Sequence, residues 1–475
     1  MPYVVTQSRR DTQMSDEDVN TEAVDDDEDA YVLTRRAVTA ILDAVAAGNA
    51  TRLTELMEPL HPADIADLLE QVDSADRRAL VTLYGKEFDG EILSELDEAI
   101  REDVISALSP QVLSDAVREM ESDDVVDLLE DLEKPQQDAI LQVLEAADRL
   151  AVERALAFPE YSAGRLMQRE VVMAPEHWTV GEAIDFMRDH DDLPDQFYHV
   201  VLVDPRLRPI GYVTLGKLMS SHRAVRLAAI TEASFRTFEV DEAEADVAYA
   251  FNQYHLISAP VVDEDGRLVG IITIDDAMAV LDEEHEEDIL RLAGVGDESL
   301  SDSTFEIVRR RFPWLLVNLC TANLVAVVIS QFEESLSALV ALAVLMPIIA
   351  SMGGNAATQT MTVAVRALAT RDLTASNAFR VIRREIFAGM LNGLAFALIM
   401  GVVGTLWFNM PMLGVVLGVA MVINLMVAGL AGALVPLTLE KIGVDPALAS
   451  GTFVTTTTDV VGFFAFLGLA TVVLL

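Results

Sequence analysis

The 475-residue chain has a single cysteine, Cys320. That excludes an internal disulfide and any metal site built from several thiolates. Cys320 falls inside an apolar run, where packing is the simplest role. Lysine is nearly as scarce: Lys86, Lys134, Lys217 and Lys441 are the only four. Basic side chains total 33 against 77 acidic ones, a net charge of −44. Such a surface repels phosphates and argues against a nucleic-acid partner. The first residues lack the basic-then-apolar stretch of an export signal. Residues 1–30 instead carry Asp16-Glu17-Asp18 and Asp25-Asp26-Asp27-Glu28-Asp29 and read as a disordered acidic tail.

The acidity is confined to one part of the chain. Residues 305–475 hold nine basic and eight acidic side chains, whereas residues 1–304 hold 24 and 69, a net −45. Carboxylates in such excess suit either a surface that collects divalent cations or a protein of a very salty cytoplasm, where charge is screened within a few ångström and aids solubility. Cation sensing does not explain the missing lysine, so a halophilic source accounts for the bulk of the charge.

Four textures follow the tail. Residues 31–160 have helical periodicity and almost no strand signal. Within them Ala66-Asp67-Leu68-Leu69-Glu70 recurs as Val126-Asp127-Leu128-Leu129-Glu130, sixty residues on, which predicts stacked helical hairpins in a superhelical domain. Residues 161–226 and 227–284 alternate strands and helices. Val201-Leu202-Val203-Asp204 with Ile210-Gly211-Tyr212-Val213-Thr214 recurs as Pro260-Val261-Val262-Asp263 with Val269-Gly270-Ile271-Ile272-Thr273, at an offset of fifty-nine. Residues 285–311 read as a polar linking helix, acidic at its start and ending in Arg309-Arg310-Arg311, as the helix dipole favours; Gly294-Val295-Gly296 is a candidate interruption. Residues 312–475 contain five apolar segments near 312–331, 335–365, 386–408, 411–437 and 447–474, each long enough for ~30 Å of hydrocarbon. Arg309 to Arg311 and the Arg366–Arg384 loop belong on the cytoplasmic side. The N-terminal domains are then cytoplasmic, the C-terminus outside, and the membrane the plasma membrane.

The membrane half is sparing with ionisable groups, which makes Asp459 conspicuous. It follows Thr455-Thr456-Thr457-Thr458, and no Lys, Arg or His shares its segment. An acid at mid-membrane costs roughly 3 kcal/mol even on the mildest scale, so it is kept for a reason. A lone carboxylate among hydroxyls suits the path of a hard cation; the alternative is a protonated Asp bonded to a neighbouring helix. The second span carries Pro347, Gly353-Gly354-Asn355 and Thr358-Gln359-Thr360, and the proline and glycines predict a broken or kinked helix lining an aqueous cavity. Asn392 and Asn424 add amide oxygens in the third and fourth spans, with a helix–helix hydrogen bond as the alternative for each. Gly429 and Gly432 permit close helix packing. The donor set is oxygen only, which excludes a soft-metal transporter. With so few carboxylates, a hydrated Mg²⁺ fits better than Ca²⁺.

Two resemblances sharpen this reading. The duplicated strand pairs resemble a tandem pair of CBS modules, whose Gly-x-x-Thr-x-x-Asp ending is matched by Gly270, Thr273 and Asp276. That implies a nucleotide such as ATP as a candidate ligand of the second module, held by Thr273 and Asp276; the first module has Lys217 in place of the acid. The other reading is that Gly270 and Thr273 serve a tight strand-to-helix connection. More broadly, the chain resembles the MgtE family of magnesium channels. This rests on Pro347, Gly353-Gly354-Asn355, Arg366-Ala367-Leu368-Ala369-Thr370-Arg371-Asp372-Leu373 and Gly443-Val444-Asp445-Pro446-Ala447-Leu448, followed by Asp459. The resemblance implies a homodimer with the pore on its axis, with Mg²⁺ as both substrate and regulator. The implied pore residues are Asp459, Asp445, Asn355, Asn424 and Thr455. The implied regulatory acids are Glu91, Asp123 and Asp127 in the N-terminal domain, with Asp276, Glu284, Glu287 and Asp288 as their partners. High cytosolic Mg²⁺ would bridge them and close the pore. The chain departs from the family at Ala243, His255, Ala279, Gly451 and Thr455. An enzyme is not expected. A cation-coupled divalent-metal exporter and a membrane-tethered adenine-nucleotide sensor are the other classes that fit.

Overall fold

A computed structural model describes residues 33–475 apart from 131, 133, 145, 191, 192, 195, 233, 234 and 296–303. The acidic tail and Gly296 therefore lie outside the described residues. The chain divides into one unit of residues 1–120 and 127–149 and a second of residues 121–126 and 150–475.

The described part of the first unit consists of short helices, each buried through one apolar face. Leu53, Leu68, Leu69, Leu80, Leu128 and Leu129 are fully buried there. The sixty-residue echo is structural as well as sequential. Arg77 Nε donates to the Leu69 carbonyl at 2.7 Å and its Nη2 to Val72 at 3.2 Å. Sixty residues on, Gln137 Nε2 donates to Leu129 at 2.7 Å and to Leu132 at 2.9 Å. A long polar side chain thus satisfies the orphan carbonyls at the end of the preceding helix in both copies.

The second unit begins with two three-stranded sheets. In the first, β1 (Met173–Pro175) runs parallel to β2 (His199–Val203), which pairs antiparallel with β3 (Pro209–Thr214). In the second, β4 (Phe238–Glu239), β5 (Ser258–Val262) and β6 (Leu268–Thr273) repeat the pattern. Asp204 and Asp263 build the same turn: Asp204 Oδ1 accepts from the amides of Arg206 and Arg208 at 2.7 and 2.9 Å, and Asp263 Oδ1 from Asp265 and Arg267 at 3.0 and 2.8 Å. His199 and Ser258, equivalent positions in the two modules, join them through a 2.5 Å contact from Nδ1 to Oγ.

Among the described residues, five helices are long and apolar enough to cross a membrane: Ile307–Ser330, Ala341–Ala369, Ala378–Phe408, Pro411–Lys441 and Pro446–Leu474. Three boundaries differ from expectation. The linking helix is not one element over 285–311: it begins inside the second module at Ile274 and stops at Leu292. Gly294 then takes φ +74°, the left-handed conformation that ends helices, and Arg309 to Arg311 belong to the helix of the first span. Glu333 and Glu334 start a separate short helix, Glu333–Ala338, ahead of the second span. The third span extends back to Ala378 and so includes Arg380, Arg383 and Arg384.

The second span does not break at Pro347 or at its glycines; it is helical throughout from Ala341 to Ala369. Its glycine serves close approach instead. A Cβ on Gly353 would lie 2.3 Å from Asn424 Nδ2. The same logic holds for Gly429 against the Glu385 carbonyl, at 2.5 Å, and for Gly432 against that of Ala357, at 2.7 Å. The fourth span is the most enclosed of the five.

Candidate functional site

Asp459 lies on the fifth-span helix, whose N-terminus is capped by Asp445: Asp445 Oδ1 accepts from the Ala447 amide at 2.7 Å. The threonine hydroxyls ahead of Asp459 donate to their own helix. Thr455 bonds to the Gly451 carbonyl at 2.9 Å, Thr456 to Thr452 at 2.6 Å, Thr457 to Phe453 at 2.8 Å and Thr458 to Thr455 at 2.9 Å. With their hydrogens so used, the half-buried Thr455 and Thr456 keep oxygen lone pairs able to accept from water, whereas Thr458 is fully buried. Asp459 is half-buried, and among the described residues it has no ion-pair partner. Thr455 and Thr456 stand four and three residues before it, on the same helix face.

Asn424 is fully buried in the fourth span. Its Nδ2 donates to the Ile349 carbonyl of the second span at 2.8 Å, while Oδ1 has no hydrogen-bond partner among the described residues. Gly353 and Gly462 press on this amide from the second and fifth spans, where a Cβ would meet it at 2.3 and 2.8 Å. Asn424 therefore ties three helices together one turn from Asp459. Asn355 is exposed on the second span, with Nδ2 3.5 Å from Ser351 Oγ. Asn392, on the third span, is exposed. Among the described residues, no group of three or more His, Cys, Asp or Glu side chains could hold a metal ion. Asp459, Thr455 and Asp445 thus share the fifth-span helix and Asn424 sits at its junction with the second and fourth spans, while Asn355 stands apart from them.

Outside the spans, acids converge at two junctions. At the first, Asp123 and Asp276 face one another. Asp123 is 7% exposed; its Oδ1 accepts from the Asp124 amide at 3.0 Å, while its buried Oδ2 has no hydrogen-bond partner among the described residues. Burial, then Asp276, Asp124 and Glu121, push its carboxyl well above the usual range. Burial and Asp275 raise Asp276 to about 6, against the hydrogen bonds from Thr273. Glu121 is raised to about 7 by burial, then by Glu170, Asp276 and Asp275, despite its bond from Gln168 Nε2. Gly270 admits this segment, since a Cβ there would lie 2.7 Å from the Gln168 carbonyl.

At the second junction, Asp288 of the linking helix faces Asp445. Burial and then Asp445 raise the Asp288 carboxyl, against Arg291 and His285. Arg291 Nη2 lies 2.5 Å from Glu287 Oε2, and Nη1 lies 3.5 Å from Asp445 Oδ2. Glu284 is exposed one turn earlier. The remaining two predicted acids lie in the first unit. Glu91 opens the short helix Glu91–Ser94 and is exposed. Asp127 accepts from Arg101 Nη1 at 2.9 Å.

Thr273 and Asp276 form a capping box: Asp276 Oδ2 accepts from the Thr273 hydroxyl at 2.6 Å and from its amide at 3.3 Å. In the first module Thr214 caps the corresponding helix through the Lys217 amide at 3.2 Å. No motif in the sequence points to Glu121 or Arg291 as site residues. The signal available for Arg291 is its place four residues after Glu287 on a helix; Glu121 has no local signature.

Five apolar spans among the described residues, an oxygen-only polar set on the last of them and acid-rich modules ahead of them fit a multi-pass membrane protein that handles a hard divalent cation. Comparison with known proteins agrees. Residues 346–469 match the family described as a divalent cation transporter, MgtE; residues 60–161 match the MgtE intracellular N domain; residues 163–222 and 234–283 match CBS domains. The chain is 33% identical over 442 residues to the magnesium transporter MgtE of Thermus thermophilus, covering 92% of this chain and 98% of that one. It is 35% identical over 320 residues to the MgtE of Enterococcus faecalis, covering 67% and 70%. The crystal structure of the cytosolic domain of the Mg²⁺ channel MgtE in complex with ATP is similar at 30% identity and a TM-score of 0.48, over 51% of this chain and 99% of that one. The chain belongs to the MgtE family.

Proposed function

We propose that this protein is a Mg²⁺ channel that admits the ion down its electrochemical gradient and closes when cytoplasmic Mg²⁺ rises. The observation that carries the gating is the convergence of Asp123 and Asp276 with one buried carboxylate oxygen unpartnered. Buried like charges repel and are relieved by a cation that neutralises both. An ion bound only when the acids are together shifts the equilibrium toward that state by its differential affinity. Asp288 facing Asp445 repeats the device directly beneath the helix that carries Asp459. A second ion there ties the linking helix to the pore helix.

Conduction runs past Asp459, with Thr455 and Asn355 contributing through the ion's water shell. Mg²⁺ sheds water reluctantly, so a lone carboxylate that holds it at one remove attracts the ion without trapping it. Two copies of the chain sharing one axis would supply two such carboxylates, and a homodimer in the plasma membrane, C-terminus outside, is the assembly that fits. The domain divisions at 31–160, 161–226, 227–284 and 312–475 belong to the same reading. The Thr273–Asp276 capping box engages one carboxylate oxygen locally, which weighs against Asp276 as a ribose ligand for ATP. Single-channel recording with Mg²⁺ varied on the cytoplasmic face tests the proposal: open probability should fall through the millimolar range. Activity indifferent to cytoplasmic Mg²⁺, or flux that collapses with a proton or Na⁺ gradient at constant voltage, would replace it with a coupled exporter.

A further inference from the structure

We propose that Arg371, in the loop between the second and third spans, is a metal-free latch onto the second CBS module that favours the closed pore. The proposal rests on the gating reading above and adds a coupling route that needs no ion. The loop is tightly built. The Leu373 amide donates to the Ala367 carbonyl at 2.7 Å, and the Leu373 side chain is buried. Asn377 Nδ2 donates to the Asp372 carbonyl at 2.7 Å, and the Thr374 amide donates to Asn377 Oδ1 at 2.9 Å. This frame holds Arg371 at φ +58°, a left-handed conformation uncommon for a residue with a side chain.

The guanidinium so presented pairs with Asp246 and lies 4.3 Å from the ring centroid of Tyr249. Asp246 and Tyr249 are three residues apart on the helix Glu244–Tyr254, hence on one face. A planar guanidinium can meet a carboxylate at its edge and an aromatic ring at its face together, which a lysine ammonium does less well. The receiving helix is rigidly seated. Val247, Ala250 and Phe251 lie in the same core as Ala277 of the linking helix. Displacing Arg371 therefore acts on the element that carries Asp276 and Asp288, while the loop itself continues into the spans on either side. The contact is made in the same arrangement that brings Asp123 to Asp276 and Asp288 to Asp445, so it stabilises the state in which those acids meet.

The test uses the full chain in inside-out patches, with the cytoplasmic Mg²⁺ that halves conduction as the readout. An exposed ion pair and an exposed cation–π contact are each modest, so Arg371→Ala should raise that concentration roughly three- to tenfold. Conduction at low Mg²⁺ should be unchanged. Arg371→Lys should give part of the shift, and Tyr249→Phe little where Tyr249→Ala shifts clearly. Arg371→Asp and Asp246→Arg should each shift the midpoint, and the double exchange should return toward the native value. Native conduction that ignores Mg²⁺ would defeat the gating reading itself. Native inhibition with an unmoved Arg371→Ala midpoint, or an exchange that restores nothing, would overturn the latch alone.

Discussion

Asp276 acts on Asp123 and Glu121, and burial followed by Asp275 raises its own carboxyl to about 6, against the hydrogen bonds from Thr273. Asp459 has no acid beside it among the described residues and threonine hydroxyls on the turn before it. The same functional group works in two regimes. On the proposed reading, the crowded and buried carboxylates call for a counter-ion and would report its concentration. The lone carboxylate lined by acceptors would attract an ion weakly enough to let it go. Breaking either regime should have separable effects, one on conduction and one on its control.

The largest effect is expected at Asp459. Asp459→Ala removes the acid that no other side chain on its span can replace, and Mg²⁺ flux into liposomes should fall by about a hundredfold or more. Flux within a few-fold of native, in protein of native assembly, would dissolve the contrast between the two regions. Next comes the packing around Asn424. Gly353→Val would drive a side chain into Asn424, whose Nδ2 lies 2.3 Å from where a Cβ would sit; overpacking of this kind costs about 1–3 kcal/mol. Gly451→Ala, where a Cβ meets no side chain or neighbouring helix within 4 Å among the described residues, is the control and should leave the melting temperature in detergent unchanged or slightly raised.

The crowded regime predicts an opposite sign. Asp123→Asn removes one of the facing charges while keeping shape, so in chelator the chain should be as stable as native or more so. Mg²⁺ should then lose most of its stabilising effect, and the concentration that halves conduction should rise about tenfold, since a tenfold change corresponds to the ~1.4 kcal/mol that one lost charge pairing readily supplies. Thermal unfolding with and without Mg²⁺ separates the two. A variant destabilised in chelator would mean that Asp123 has a structural partner after all.

Much of this was readable from the chain because it is periodic or pairwise. The offset of fifty-nine returned as two identical Asp204 and Asp263 turns, and the echo at sixty as the Arg77 and Gln137 caps. The five spans followed from hydropathy. What was not readable depends on contacts remote in sequence. Pro347 and its glycines suggested a broken helix, but tertiary packing against Asn424 keeps it continuous. The family resemblance implies Asp445 as an ion ligand, and its position shows two local engagements, a helix cap and Arg291, that no spacing rule reveals. Glu121 and Asp276 meet across more than a hundred residues, and only the fold brings them together.

The smallest effect tests whether burial without a crowd of acids behaves as a third regime. His199 is buried between the CBS modules, 2.5 Å from Ser258 Oγ and with Tyr212 edge-on at 4.3 Å between ring centroids. Burial pushes its imidazole below the ordinary value, against the pull of Glu232. The folded state therefore holds the neutral ring where the unfolded chain is already protonated. Stability rises with pH wherever the unfolded state binds more protons. The modules should be fully stable above the ordinary histidine value of about 6.5 and lose stability as pH falls below it. The slope cannot exceed ~1.4 kcal/mol per pH unit for one proton, and it ends at the lowered folded value. Amide exchange at β2 and β5 in the full chain should show this slope, and His199→Gln should flatten it. An unchanged slope in that variant would assign the acid sensitivity to other groups and leave the buried histidine as a packing residue.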